Sequence, residues 1–316
     1  QANHPLFDTY CIPKRCANKF ILYLMLHLRK DNENSGVQGL ATLLKKDIRK
    51  CVSRALDEDI NSGDITAELI SPNSHSIAEI ISREKAVICG INWVNEVLSQ
   101  LDPSTEIEWF VKDGDFIESN QILATIKGLT RILLTAERTI LNFLQTLSGT
   151  ATSASRYASI AKNSSVQILD TRKTIPGLRL AQKYAISVGG CKNHRIGLFD
   201  SYLIKENHIK ACGGITKAVK RAREIRPNLE VQVEVENLNE LKEAINASVD
   251  IILIDNFSAE EVNKIGKFKN PATKIEVSGN INEDNLAEYL SANKIIDRIS
   301  CGSLTKSVSS VDLSMR

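Results

Sequence analysis

The chain has 316 residues, 42% hydrophobic and 25% charged, enough for one large core or two moderate ones in a globular protein. Its 40 Lys and Arg against 38 Asp and Glu leave a net charge of +2, and aromatic residues make up only 5%. That balance argues against a dedicated nucleic-acid or membrane-surface binder and against a base-stacking platform.

The first residues stand apart. Phe20 to Leu28, FILYLMLHL, is apolar, follows Lys14, Arg15 and Lys19, and precedes a polar RKDNENSGVQG. The run is far short of the roughly 20 residues that a membrane span needs. No small-x-small cleavage site follows it, so residues 1–39 read as an extension rather than a signal peptide. From Leu40 the pattern becomes regular. LATLLKKDIRKCVSRALDEDI has apolar residues at helical spacing and ends in the turn NSGD. Short strand-like runs follow at 76–82, 85–90, 105–111 and 121–128, with a helix INWVNEVLSQL after the second and a KDGD turn at 112–115. This predicts an α+β domain of common size.

A long helical stretch, RILLTAERTILNFLQTLSGTATSASRYASIA, leads into the second half. Strands are predicted there at 166–170, 201–205, 229–236, 249–255, 273–279 and 295–302, with helices between most of them. Such alternation implies βαβ units and a parallel sheet. Strand after strand ends in polar residues: Asp170 before Arg172 and Lys173, then Lys205, Glu234 and Glu236, Asp255, and Ser278 to Asn280. A β/α barrel gathers its site at those ends, so an open or truncated barrel is expected, with an open doubly wound sheet as the alternative.

Positive charge concentrates in TRKTIPGLRLAQKYAISVGGCKNHRIGLFD, which has no acid between Thr171 and Asp200. A helix started by Pro176 and ended by Gly189-Gly190 is expected within it. Arg179, Lys183 and Lys192 read as its solvated face. Arg172, Lys173, His194 and Arg195, next to strand ends and glycines, read as a cluster for anions, since arginine forks match carboxylates and phosphates. VSGN at 277–280 and CGS at 301–303 are small-residue turns after the last two strands, where barrels bind phosphate. Glu234 and Glu236 share one face of a strand; with Asp255 they could hold hydroxyls or Mg²⁺. A Glu that merely pairs with Lys205 is the plain structural alternative. The ligand so described is highly anionic, with at least one phosphate. Seven scattered cysteines without a Cys-x-x-Cys pair read as reduced thiols in a cytoplasmic protein; Cys191 and His194 lack a second ligand pair for zinc.

On EDINSGDIT, ERTILNFLQTLSGTAT, LDTRKTIPGLR, KYAISVGGCKNHRIGLFD, LIKENHI, VEVENL, LIDNF, EVSGNI and DRISCGSLTKSVSSVDLSMR, in order from about Leu40 to Arg316, the sequence resembles the quinolinate phosphoribosyltransferase family. The resemblance implies an α/β fold: a sandwich domain at 40–142, with the tail 305–316 packing back on it, and at 143–304 an open, incomplete α/β barrel of the type II phosphoribosyltransferase kind. It implies phosphoribosyl transfer from phosphoribosyl pyrophosphate to quinolinate with decarboxylation, using Mg²⁺, in a homodimer. By position, Arg172, His194, Arg195 and Lys205 match the quinolinate-binding cations, and Arg138 matches an arginine donated by the partner chain. Lys173 matches the lysine at the pyrophosphate. Glu234 and Asp255 match the acids on the ribose hydroxyls and metal. Ser278, Gly279, Asn280, Gly302 and Ser303 match the 5-phosphate site. Cys191 departs from a position often small in relatives, which bears on local packing only. A nicotinate-type phosphoribosyltransferase and a non-catalytic sugar-phosphate-binding barrel are the alternatives.

Overall fold

The computed structural model describes residues 36–265, 271–292 and 295–316. The apolar run at 20–28, and with it most of the extension, lies outside them. Helix α1 (Gly36–Ile60) buries Leu44, Ile48, Val52 and Leu56, one every four residues, and ends in a turn at Asn61 and Gly63. A 3-10 turn at Ala67–Leu69 leads to β1 (His75–Ser82), β2 (Ala86–Val87), α2 (Ile91–Leu101), β3 (Glu106–Trp109), β4 (Phe116–Ile117) and β5 (Ile122–Leu129). The expected strand at 85–90 shrinks to two residues that pair antiparallel with β4, which follows the KDGD turn. Helix α3 (Thr130–Ile160) then crosses the molecule.

Its first two-thirds, through Ala151, packs into the N-terminal core, whereas Ala154 and Tyr157 belong to the second core. The helix therefore serves both sides and does not divide at 142/143.

The second core is built on β6 (Gln167–Leu169), α4 (Arg179–Val188), β7 (Tyr202–Ile204), α5 (Glu206–Cys212), α6 (Ile215–Ile225), β8 (Val231–Val235), α7 (Leu238–Asn246), β9 (Ile251–Asp255), α8 (Ala259–Ile265), β10 (Lys274–Ser278), α9 (Leu286–Ala292), β11 (Arg298–Ser300) and α10 (Ser303–Lys306). Its six strands lie in the order β6-β11-β10-β9-β8-β7, all parallel. Each crossover from β7 to β11 moves one place in the same direction. That is the winding of a barrel, not of a doubly wound sheet, whose order reverses at a switch point. The sheet stays open between β6 and β7, where Lys192 adds only a parallel bridge to Leu169.

Period-two alternation sorts the strands into two faces. Val231, Val233, Val235, Ile252, Ile254, Ile275, Val277 and Ile299 meet the helices in the second core. The opposite positions, including Gln232, Glu234, Glu276 and Arg298, turn inward.

After α10 the chain returns to the first domain, where β12 (Leu313–Met315) pairs antiparallel with β1. To get there it presses on α3 at Gly149, where a Cβ would come within 2.0 Å of the Ser309 carbonyl oxygen. Only glycine admits that approach.

Two expectations change. Pro176 and Gly177 form a turn, and α4 begins at Arg179. The preceding loop is held out of helix because Ile175 donates its N–H to the Gln182 side chain (2.7 Å) and Arg179 Nε donates to Thr174 Oγ1 (3.2 Å). Lys183 is not on a solvated face: it is fully buried, because that face of α4 points at Asp170.

Candidate active site

Loop 171–178 leaves β6 over the inward face of the sheet, and segment 192–201 fills the opening between β6 and β7. A buried polar cluster fixes both. The Asp170 carboxylate accepts from Lys183 Nζ (2.6 Å), from the His194 N–H (2.8 Å) and from the Asn193 side-chain amide (2.7 Å). Lys183 also donates to the His194 carbonyl (3.0 Å), and Ser187 donates to Asn193 (2.8 Å). Burial pulls the Lys183 ammonium below its usual range, which the facing Asp170 opposes. Downstream, Asp200 accepts the N–H groups of Ile196 and Gly197. Asn193, His194, Ile196 and Gly197 are thus each tied to a carboxylate.

Arg172 and Arg195, both half-buried, emerge from these two pieces of chain. Desolvation first, and then the charge of Arg172, lower the Arg195 guanidinium from its usual range; Asp200 and Glu234 work against them. The Arg172 Nε is buried without a hydrogen-bond partner. Two guanidiniums close enough to disfavour one another, one with an unsatisfied donor, describe a place prepared for an anion.

Lys205, at the end of β7, forms an ion pair with Glu234 at the end of β8. Asp255 closes β9, faces Ser278 in register and accepts from the Asn256 side chain (2.7 Å). Beyond β10, Gly279 has φ +104° and Asn280 φ +48°. A Cβ on Gly279 would lie 2.6 Å from the Asn256 backbone nitrogen, so the turn needs glycine for both space and conformation. Lys173 is exposed, and its chain lies against Gly302, where a methyl group would come within 3.2 Å of its Cδ. Ser303 is already engaged, with Tyr157 (2.7 Å) and with the Ile281 carbonyl (3.3 Å).

His194 is 7% exposed and both ring nitrogens face protein. Nδ1 accepts the Arg195 backbone N–H (2.7 Å), and Nε2 lies 3.2 Å from Glu276. Arg138 is elsewhere, on the exposed face of α3; among the described residues no hydrogen bond or ion pair joins it to the barrel cations.

Of the supporting residues, Asp170 was read only as a polar strand end and Lys183 only as part of a solvated face, while Asn193, Gln232, Glu276 and Arg298 were not singled out from the sequence. A signal existed for two of them: Gln232 and Glu276 stand two residues before Glu234 and Ser278, hence on the same inward face.

Arg195 feels the charges of both Arg172 and Glu234, and Lys205 pairs with Glu234, at the strand ends. Residues 150–316 match the family model described as the quinolinate phosphoribosyl transferase C-terminal domain, and residues 64–148 match that of its N-terminal domain. The chain belongs to the quinolinate phosphoribosyltransferase family. It is 37% identical over 269 residues to the probable nicotinate-nucleotide pyrophosphorylase (carboxylating) of Bacillus subtilis, covering 85% of this chain and 92% of that protein. Among solved structures, the nicotinate-nucleotide pyrophosphorylase of Francisella tularensis superposes with a TM-score of 0.82 at 45% identity, covering 86% of this chain and 96% of that one. Human nicotinic acid phosphoribosyltransferase reaches a TM-score of 0.54 at 13% identity over 77% of this chain and 70% of its own, a likeness of fold alone. Among the described residues no helix is long and apolar enough to cross a membrane.

Proposed function

We propose that this protein transfers the phosphoribosyl group of phosphoribosyl pyrophosphate to quinolinate with loss of CO₂, giving nicotinate mononucleotide and pyrophosphate in de novo NAD synthesis. The observation that carries the reading is the grouping of Arg172, Arg195 and Lys205 about Glu234, with Asp255 ending the next strand. Three cations answer the two carboxylates of quinolinate, and two acids answer the ribose hydroxyls. A substrate with one carboxylate, as in the nicotinate-type alternative, would leave much of that cluster unanswered. A barrel that merely bound sugar phosphates would have no use for Lys173, Glu234 and Asp255 together.

The residues act by orientation and by placed charge rather than through a protein nucleophile. Arg172, Arg195 and Lys205 hold the quinolinate carboxylates so that the ring nitrogen faces the ribose C1. Glu234 and Asp255 hold the ribose hydroxyls while C1 becomes oxocarbenium-like, and Lys173 neutralises the leaving diphosphate. The C1–O bond breaks as the N–C1 bond forms. The alkylated ring nitrogen is cationic and stabilises the carbanion left on the adjacent ring carbon when its carboxylate departs as CO₂, and that carbon then takes a proton from water. Ser278, Gly279 and Asn280, with Gly302 and Ser303, flank the place of the 5-phosphate.

Among the described residues no three His, Cys, Asp or Glu side chains converge as a metal nest. Glu234 and Asp255, on adjacent strand ends, nevertheless suit Mg²⁺, which takes one or two protein carboxylates and its other oxygens from substrate phosphates. When bound there, Mg²⁺ supplies neutralising charge for the departing diphosphate.

The working unit in this reading is a homodimer in which Arg138 reaches the partner's site. What supports it is the free position of Arg138 on α3, one turn from the exposed Leu134 and on the side of the exposed Ile65 and Leu69. A cytoplasmic location accords with five unpaired cysteines among the described residues.

Incubation with carboxyl-labelled quinolinate, phosphoribosyl pyrophosphate and Mg²⁺ tests the function. Equal amounts of nicotinate mononucleotide and labelled CO₂ are expected. Turnover of nicotinate without CO₂ release would favour the nicotinate-type enzyme, and no turnover would favour the binding protein.

A further inference from the structure

Glu276 is a fully buried carboxylate on the inward face of β10, in register with Arg298 on β11. Its Oε2 accepts from Arg298 Nε (2.5 Å), and its Oε1, which has no hydrogen-bond partner, lies 3.2 Å from His194 Nε2. From there the contacts run in a closed circuit. Arg298 Nη2 donates to Gln232 Oε1 (3.3 Å), and Gln232 Nε2 donates to Ser201 Oγ (3.3 Å). The Ser201 carbonyl accepts from Arg195 Nη1 (3.2 Å), and the Arg195 backbone N–H donates to His194 Nδ1, which returns the path to Glu276. Both ends of Arg195, backbone and guanidinium, are thus held by one ring of side chains.

A ring nitrogen that accepts an N–H bond carries no proton, so the imidazole proton of His194 sits on Nε2 and faces Glu276. The carboxylate therefore sets the tautomer that lets Nδ1 hold the Arg195 backbone. A buried charge of this kind is costly, and a hydrophobic residue of similar volume would fill the space at less cost.

Resting on the proposed function, we infer that Glu276 is a positioning residue for quinolinate: acting through His194 and Arg298, it aims the Arg195 guanidinium at the substrate without touching it. The phosphoribosyl side of the site, at Asp255, Gly279 and Gly302, is not part of the circuit. Loss of Glu276 should then separate the two substrates. Partners that orient a ligand-binding group from behind, as at metal sites, are worth about ten- to a hundred-fold in affinity.

Glu276→Gln keeps the volume and removes the charge; Glu276→Asp keeps the charge at shorter reach. Steady-state kinetics with each substrate varied in turn, and calorimetric titration of quinolinate into the free protein, are the measurements. Glu276→Gln should raise the quinolinate KM and Kd about ten-fold or more, with the phosphoribosyl pyrophosphate KM within about two-fold. Glu276→Asp should recover part of the loss. Quinolinate constants unmoved in folded Glu276→Gln, or both substrates' constants rising together, would overturn the inference. If Glu276→Gln does not fold, Arg298→Gln, on the partly exposed arm of the circuit, must show the same separation or the inference fails. Absent turnover by the wild type would reject the proposed function and this role with it. Wild-type turnover with unmoved quinolinate constants in the variants would reject this role alone.

Discussion

Burial and the charge of Arg172 disfavour the Arg195 guanidinium, and Asp200 and Glu234 offset them only in part. Arg172→Ala or Arg195→Ala should weaken quinolinate binding by roughly 2–5 kcal/mol while leaving phosphoribosyl pyrophosphate binding nearly intact. Calorimetry showing unchanged quinolinate affinity in both variants would remove them from the site. Glu276 makes a second prediction, in pH. Burial alone would raise its carboxyl, but the facing His194 ring and the Arg298 guanidinium outweigh burial and bring it from 4.5 down to about 2. A depressed carboxyl contributes stability that is present above its unfolded value and is lost as pH falls through the folded one. The wild type should therefore lose on the order of 3 kcal/mol between about pH 4.5 and 2 that Glu276→Gln does not lose. Thermal midpoints of the two proteins falling in parallel over that window would sink the assignment. At this scale the sequence pointed to cations and acids at the strand ends but not to the buried residues that stand behind them. Lys183 shows why: its spacing from Arg179 gives a shared helix face, and spacing alone does not say whether that face meets water or Asp170.

The elements were more legible than the contacts between them. All six barrel strands were readable because their outward positions are apolar while their ends are charged, a pattern that survives without tertiary context. The start of α4 was not readable. Proline suits a first helical turn, yet here the Gln182 and Arg179 side chains hold residues 174–175 in a loop, and no local rule foresees side chains seven residues away. Strand β4 escaped notice because two residues carry no period. Helix α4 also bears Lys183, which pairs with Asp170 just after β6, both side chains inaccessible to solvent. Lys183→Met should cost about 3–5 kcal/mol by stranding the Asp170 charge, and Asp170→Leu added to it should cost less than the two single losses summed. Urea unfolding of the four proteins gives the comparison, and strict additivity would mean that the pair is not coupled.

Across the whole molecule, the two cores interlock through α4 and the tail. Ala181, Tyr184, Ala185 and Val188 belong to the N-terminal core although they follow β6 in the chain, and Val311 and Leu313 join them. Tyr184 packs on Trp93 with ring centroids 5.5 Å apart and donates its hydroxyl to Asp113 (2.8 Å). Scanning calorimetry of the full chain should show a single cooperative transition; two resolved transitions would mean the cores are independent. The proposed dimer offers another test. Arg138→Ala and Lys205→Ala should each be nearly inactive alone. Co-expressed, they should regain about a quarter of wild-type activity, because about half the dimers are mixed and each mixed dimer has one intact site. No recovery in a verified mixed dimer would place Arg138 in its own chain's site or in none.

The return of the tail to β1 has a consequence for how the protein is made. Asp312 donates its N–H to Glu84, just past the end of β1 and 228 positions earlier. At about 5–20 residues per second, a ribosome needs roughly ten to fifty seconds to travel that far. Until then β1 lacks its outer partner, and Ile80 and Ile81 have no strand to pair with on that edge. The half of the protein that emerges first is therefore completed late, and its most vulnerable surface during synthesis is a strand that the mature enzyme shows to nothing but its own distant end.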